Sequence, residues 1–462
     1  MIPIDTIVAP ATPPGRSALA IVRIDGPGAA ELLTKLSRAA LPPVRHAALR
    51  KLFAVTGPSS VPDGRGDAAT AGSQVRPAGE EVIDECIAIR YEAPHSFTGN
   101  DMVELTVHGN PLLVERILSA CVVLGARLAL PGEFTERAVL NGKMDLVQAE
   151  SVADLINART ALQARLSLSN LEGSLSRKAA AVRLALLEVI SRLEAALDFS
   201  EEGYEFITRE QVRVRIEGAL LEIVAMGETY RRGAATRTGL SAVILGRPNA
   251  GKSTLLNRLV GSDRAIVTPI PGTTRDIVRE TIEIGGLPVT LADTAGLRAS
   301  DDLVEGIGIE RAREAARLAD LVIYLVDGTV GLTEEDRAET AGLDKVLVVF
   351  TKADLAGVPS AEDVLSISAV SDLGINELLR QMDELVREQF AATEGALVNE
   401  RQRVAVAECE SALRAALAAV ELEEQMILVD LYRAANALGA LTGVITRDEI
   451  LSEIFGKFCI GK

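Results

Sequence analysis

At 462 residues the chain exceeds one ordinary domain, and its length suggests about three. Apolar residues make up 48% of it but aromatics only 3%, with no Trp, so its cores are aliphatic and its Ala/Leu-rich stretches lean towards helix. A formal net charge of −17 argues against non-specific nucleic-acid binding, which rests on neutralising phosphates with Lys and Arg, and leaves an RNA partner only a local basic patch.

The first sixty residues run against that acidic balance, with Arg16, Arg23, Lys35, Arg38, Arg45, Arg50 and Lys51 facing only Asp5, Asp25 and Glu31. Residues 1 to about 140 read as mixed α/β. Ala18–Ile24 is strand-like, Gly26-Pro27-Gly28 punctuates it, and a short helix follows near Ala29–Leu36. Glu81–Tyr91 and Met102–His108 alternate as strands do. Between them Gly57–Gly79, rich in Gly, Pro, Ser and Ala, reads as a flexible surface insertion. From Lys143 to about Arg232 the period is helical, and Val182, Leu186, Val189, Ile190, Leu193 and Leu197 form a packing stripe. Strands and helices alternate over 240–385. There Ala242–Gly246, Val289–Asp293, Leu321–Asp327 and Val346–Thr351 are continuous apolar runs suited to a parallel sheet buried on both faces. Helical periodicity returns over Glu388–Leu441, with Val406, Cys409, Leu413, Leu417 and Val420 on one face. An α/β domain thus sits between two helical stretches, and pattern alone leaves open whether those stretches pack together.

Cys86, Cys121, Cys409 and Cys459 form no Cys-x-x-Cys pair and only three His are present. Neither a zinc site nor a disulfide framework is expected, and a reducing, cytoplasmic compartment is. The N-terminus has no basic-then-apolar leader pattern, and no stretch approaches the roughly 20 apolar residues of a membrane span.

The chemistry concentrates in the α/β stretch. Gly246-Arg247-Pro248-Asn249-Ala250-Gly251-Lys252-Ser253 fits the phosphate-binding loop G-x-x-x-x-G-K-[ST], follows an apolar strand and opens a helix. Its glycines let backbone N–H groups approach phosphates, and the helix N-terminus, continuing through Thr254, adds positive potential. Lys252 would reach the outer phosphates and Ser253 would place its hydroxyl on Mg²⁺. In Thr268-Pro269-Ile270-Pro271-Gly272-Thr273-Thr274, Thr274 is the switch threonine expected on Mg²⁺. Asp293-Thr294-Ala295-Gly296 ends a strand, where Asp293 can hold the Mg²⁺ shell and the Gly296 N–H can meet the γ-phosphate. Thr351-Lys352-Ala353-Asp354 also ends a strand. Asp354 is placed to accept both guanine N–H groups, and Thr351 stands where Asn is usual. Ser368-Ala369 would support the base through a backbone N–H. Five elements in order point to GTP rather than ATP. The Gln that orients water in Ras-type sites is here Leu297, which cannot do so. Hydrolysis is then slow or another group guides the water; Glu305, before a helix starting near Ile309, reads on physics alone as a solvated carboxylate.

Four further blocks carry a resemblance. They are Asp5-Thr-Ile-Val-Ala-Pro-Ala-Thr-Pro-Pro-Gly15-Arg16, Ser96-Phe-Thr-Gly99-Asn-Asp101, Pro131-Gly-Glu-Phe-Thr-Glu136-Arg-Ala and the terminal Phe458-Cys459-Ile460-Gly461-Lys462. The nucleotide motifs alone fit many GTPases, including the ribosome-associated Era type. With these blocks the chain resembles the tRNA-uridine-modification GTPase family MnmE, also called TrmE, over nearly all its length apart from Gly57–Gly79. His108-Gly109-Asn110 departs from the family's usual His-Gly-Gly.

The resemblance implies an N-terminal α/β folate-binding and dimerisation domain at 1–141, a helical domain in two parts at 142–235 and 387–462, and a Ras-like P-loop G domain at 236–386 inserted between them. It implies a homodimer that works with the flavin- and NADH-dependent protein MnmG on tRNA. There an aminomethyl or carboxymethylaminomethyl group is added to carbon 5 of the wobble uridine, with a tetrahydrofolate derivative supplying the one-carbon unit. Carried over by position, Asn249 and the backbone at Thr268, Ile270 and Thr273 would bind K⁺, and Glu305 would organise the attacking water. Arg23, Glu104, Lys143 and Lys462 would hold the 5-formyl- or methylene-tetrahydrofolate. Cys459, a thiol rarely needed for packing so near the terminus, becomes a site residue.

Overall fold

The computed structural model describes residues 5–55, 81–199, 206–262, 264–266, 279–293, 314–343, 345–355, 365–390, 394–422, 424–444, 454–456, 458 and 461. The insertion expected at Gly57–Gly79 lies outside them. The chain forms two compact units, one from residues 1–150 with 443–462 and one from 151–442.

The first unit is built on a six-stranded sheet of order β3-β4-β5-β2-β1-β6. Its strands are β1 (Ile7–Pro10), β2 (Leu19–Asp25), β3 (Ala48–Phe53), β4 (Val82–Tyr91), β5 (Met102–His108) and β6 (Arg127–Leu128). All neighbours are antiparallel except β1 and β6. Alternation along β2 and β5 sends Val22, Ile24, Val103 and Leu105 into a core with α1 (Ala29–Ser37) and α2 (Pro111–Val123). The opposite face carries Arg23 and Glu104, which are register partners. Asn110, the departure from His-Gly-Gly, caps α2 by accepting a hydrogen bond from the Leu112 N–H at 3.0 Å.

Residues 443–462 belong to this unit, although the sequence division assigns them to the helical domain. The physical reason is steric and apolar. Phe455 is buried against Leu146 and Ala149 of α4 (Leu146–Ile156). Gly132, just before α3 (Glu133–Leu140), sits so close to Phe455 that a Cβ would fall 2.6 Å from its carbonyl oxygen. Gly461 lies tighter still, since a Cβ there would stand 1.8 Å from the Pro10 oxygen.

The second unit joins a five-stranded sheet to a helical bundle. The sheet order is β11-β10-β7-β9-β8. Here β7 (Leu240–Gly246), β9 (Leu287–Asp293), β10 (Leu321–Asp327) and β11 (Val346–Thr351) run parallel, and the edge strand β8 (Arg279–Ile284) pairs antiparallel with β9. Val322–Leu325 are fully buried, as expected of a strand covered on both faces. The antiparallel edge strand, absent from the sequence reading, has polar residues at alternate positions and leads into a Gly285-Gly286 hairpin turn with both residues at positive φ.

The two helical stretches do pack together. α6 (Ser174–Asp198) and α7 (Arg209–Glu228), before the sheet, associate with α12 (Glu400–Ala418) and α13 (Glu424–Thr442), after it. The stripe Val182, Leu186, Val189, Ile190 and Leu193 is buried, as are Val406, Cys409 and Leu413 opposite. Among the described residues no helix is long and apolar enough to cross a membrane.

Candidate functional site

The central strand β7 runs into a loop that opens α9 (Lys252–Val260). Gly246, Asn249 and Gly251 have φ values of 137°, 64° and 92°. At Gly246 a Cβ would lie 2.3 Å from the Leu325 oxygen of β10, so glycine is required. Asn is among the few residues with a side chain that tolerate the left-handed region. Changes of backbone hand of this kind turn successive N–H groups to one side and make an anion-binding nest at a helix N-terminus. Lys252 is buried, and its ammonium donates to the Gly246 and Arg247 oxygens at 2.8 and 2.7 Å, which holds it over the loop. Ser253 and Thr254 are exposed in the first turn of α9. The loop is anchored sideways by Arg247, which pairs with Glu335 at 2.5 Å on α10 (Glu334–Thr340) and lies 3.1 Å from Asp336.

Asp293 ends β9 opposite Ile244 of β7, on the same carboxyl edge of the sheet as the loop. The base-side segments meet there too. The Ala353 N–H donates to the Ile367 oxygen at 3.0 Å and the Ile367 N–H to the Phe350 oxygen at 2.7 Å, which brings 351–354 against 367–369. Asp354 is exposed at that junction. The Ser368 N–H donates to the Leu373 oxygen at 2.9 Å, which leaves the donor role expected of this pair to Ala369. Thr351 is buried and its hydroxyl donates to the Val326 oxygen at 3.2 Å, so the residue in the usual Asn position ties β11 to β10. Lys352, at φ 62°, contacts Asp327 at 2.6 Å. Burial raises the Asp327 carboxyl, but hydrogen bonds from Lys352 and Thr329 more than offset this and hold it below the ordinary aspartate range. Thr268, Pro269, Ile270, Pro271, Gly272, Thr273, Thr274, Thr294, Ala295, Gly296, Leu297 and Glu305 lie outside the described residues.

The N-terminal unit brings a second group together. Arg23 Nε and Nη2 donate to Glu104 Oε1 at 3.0 and 2.7 Å, and the Tyr91 hydroxyl donates to Glu104 Oε2 at 3.3 Å. The Arg23 guanidinium carbon lies 4.9 Å from the ring centre of Phe97 and 5.6 Å from that of Phe134. Phe134 is fully buried and Phe97 packs against the same cluster, so the two rings hold the guanidinium in place beside the carboxylate. Lys143 stands nearby in sequence to α3, its ammonium donating to the Pro94 oxygen at 3.0 Å. Cys459 and Lys462 lie outside the described residues, whereas Gly461 between them meets the end of β1.

A family model described as GTP-binding protein TrmE N-terminus matches residues 6–143, and one described as MnmE helical domain matches 146–459. Proteins named tRNA modification GTPase MnmE match throughout. Those of Koribacter versatilis and Symbiobacterium thermophilum are 40% and 41% identical over 99% of this chain and 99% of their own. That of Aquifex aeolicus is 38% identical over 99% of this chain and 100% of its own. The chain belongs to the MnmE family of tRNA modification GTPases. As a MnmE-family protein it is a P-loop GTP hydrolase of a tRNA-modifying class.

Sequence reasoning on this MnmE-family chain passed over several residues of both groups. Phe97 and Phe134 sit inside the quoted blocks Ser96–Asp101 and Pro131–Ala138 without an assigned role. Asp327 had a signal, a carboxylate ending an apolar strand beside the base loop. Arg137 sits in the second of these blocks, also without an assigned role, and Asp25 had no signal, because its importance arises from burial.

Proposed function

We propose that this protein is a K⁺-stimulated GTPase that acts with the flavoprotein MnmG to install the 5-(carboxymethyl)aminomethyl group on the wobble uridine of certain tRNAs. The supporting observation is that one chain, related to MnmE proteins end to end, combines a phosphate loop with Asn249 in the left-handed conformation and an Arg23–Glu104 pair flanked by Phe97 and Phe134.

In this reading Lys252 and the loop N–H groups neutralise the outer phosphates, Ser253 and Thr274 hold Mg²⁺ with Asp293 in its shell, and Asp354 selects guanine. Because Leu297 cannot orient water, Glu305 does so. K⁺ held by Asn249 and the backbone at Thr268, Ile270 and Thr273 supplies the charge that an arginine finger gives elsewhere, as two G domains pair. A tetrahydrofolate derivative held by Arg23, Glu104, Lys143 and Lys462 provides the one-carbon unit. Glu104 accepts from its pterin N–H edge, and the basic side chains meet its glutamate tail. Cys459 belongs to the same site. In this reading the domains are 1–141, 142–235 with 387–462, and 236–386, the last stretch of the helical domain, 443–462, being the part that packs with the N-terminal unit. The protein acts in the cytoplasm as a homodimer that forms a heterotetramer with MnmG, which carries FAD and NADH.

Mass spectrometry of tRNA nucleosides from a deletion strain tests the whole reading; unaltered wobble uridines would overturn it. GTP turnover should rise when Na⁺ is replaced by K⁺, and equal rates in both salts remove the cation from the mechanism. Glu305→Ala should bind nucleotide normally and hydrolyse it poorly.

A further inference from the structure

Two residues along β2 from Arg23 begins a buried ionic network that none of the roles above uses. Asp25, at the end of β2, is 0% exposed. One of its oxygens accepts from the Thr98 hydroxyl; the other accepts from Arg137 Nη1 at 2.9 Å and Asn100 Nδ2 at 3.1 Å. Arg137, on α3 and also buried, donates further to the Asp5 carbonyl at 2.8 Å, the Asp5 carboxylate at 2.6 Å and Glu133 at 3.1 Å. Asn141, just past α3, donates back to the Thr98 oxygen at 2.7 Å.

These bonds join two segments with no backbone pairing between them. Thr98 and Asn100 belong to the loop that presents Phe97, and Arg137 to the helix that presents Phe134. A buried carboxylate with three donors and a forked guanidinium with four acceptor groups fix both segments in position and direction, which a packing contact does not. We infer that Asp25 and Arg137 are positioning residues for the site around Arg23 and Glu104: they clamp loop 96–101 to α3, so that Phe97 and Phe134 hold the Arg23 guanidinium and fix the direction in which Arg23 and Glu104 meet the folate. This rests on the folate reading of that site.

The test uses the full-length protein with 5-formyltetrahydrofolate, following affinity by calorimetry and ring environment by circular dichroism of the bound ligand. Thr98 separates a hydrogen-bonding role from a packing one, because it is fully buried. Thr98→Val keeps its volume and loses the bond to Asp25, and should bind about tenfold more weakly with an altered ligand spectrum. Thr98→Ser loses the methyl, keeps the hydroxyl and should bind normally. Arg137→Lys, which keeps charge but not the fork, should weaken binding by more than about tenfold. If Thr98→Val or Arg137→Lys does not fold, Asn100→Ala removes the outermost donor to Asp25 and should weaken binding about threefold. Native affinity in Thr98→Val with reduced affinity in Thr98→Ser assigns the position to packing and overturns the clamp. Arg23→Ala tells the two failures apart. Native folate binding by that variant overturns the pocket assignment together with the clamp, whereas loss of binding there beside native binding in Thr98→Val and Arg137→Lys overturns the clamp alone.

Discussion

The phosphate loop and the Arg23–Glu104 group are built in opposite ways. The first is made of backbone. Eight consecutive residues adopt a fixed series of conformations, and the chemistry comes from N–H groups, one ammonium and a helix end. The second is made of side chains. Arg23 and Glu104 are 81 residues apart, and their flanking rings come from a loop between them and a helix beyond them. A backbone site tolerates little substitution within a short window, whereas a side-chain site depends on distant residues that keep it in register.

Lys252→Ala gives the widest separation between the two. It removes the one ammonium held over the loop, so guanine-nucleotide affinity should fall at least about 100-fold while 5-formyltetrahydrofolate affinity stays unchanged. Calorimetry with both ligands measures this, and a parallel loss of folate binding would mean that the sites are not energetically separate. Gly461→Ala probes the steric fit of the C-terminal tail. A Cβ 1.8 Å from the Pro10 oxygen cannot be accommodated, so the tail should leave β1 at a cost of about 2 kcal/mol or more, read as protease sensitivity at the C-terminus.

Acid should act on the N-terminal network through its carboxylates. Hydrogen bonds from Arg127, against some burial, lower Asp5 below its usual 3.8. Glu133 is raised by burial but held below 4.5 by Arg127 and the Leu130 N–H. Groups with folded pKa values below their unfolded ones contribute stability that is complete above the unfolded values and is lost as pH falls through the folded ones. Hydrogen-exchange protection factors in α3 and β6, corrected for the intrinsic pH dependence of exchange, should therefore fall as pH drops below about 4 and stay constant between pH 6 and 8. The smallest effect expected is at Thr351. Thr351→Val removes only its bond to the Val326 oxygen and should cost about 1 kcal/mol in unfolding free energy, with guanine preference retained through Asp354.

How much could be read in advance follows the same division. The phosphate loop, the strand-ending Asp293 and Asp354, and the apolar runs of β7, β9, β10 and β11 were legible because each is a local pattern with a local cause. The antiparallel edge strand β8 was not, since its alternation is short and its pairing depends on β9. The residues proposed for folate were legible only through resemblance. Asp25 read as an ordinary charge and Arg137 only as one residue of a resemblance block, and what distinguishes them is burial, which no window of sequence contains. The Cys-Ile-Gly-Lys terminus was legible as a motif, but its return to the first unit was not.

By itself, then, the sequence determined a guanine-nucleotide loop, the parallel sheet beneath it and two amphipathic helical stretches. These follow from glycine conformational freedom, strand burial and helical period, all set within a few residues. Only the tertiary structure decided that α6 and α7 share a core with α12 and α13, that residues 443–462 complete the N-terminal unit, and that Arg23 meets Glu104 and buried Asp25 meets Arg137. Each of these depends on which distant apolar faces exclude water together and which charges are thereby forced to find partners, and that is a property of the packed chain.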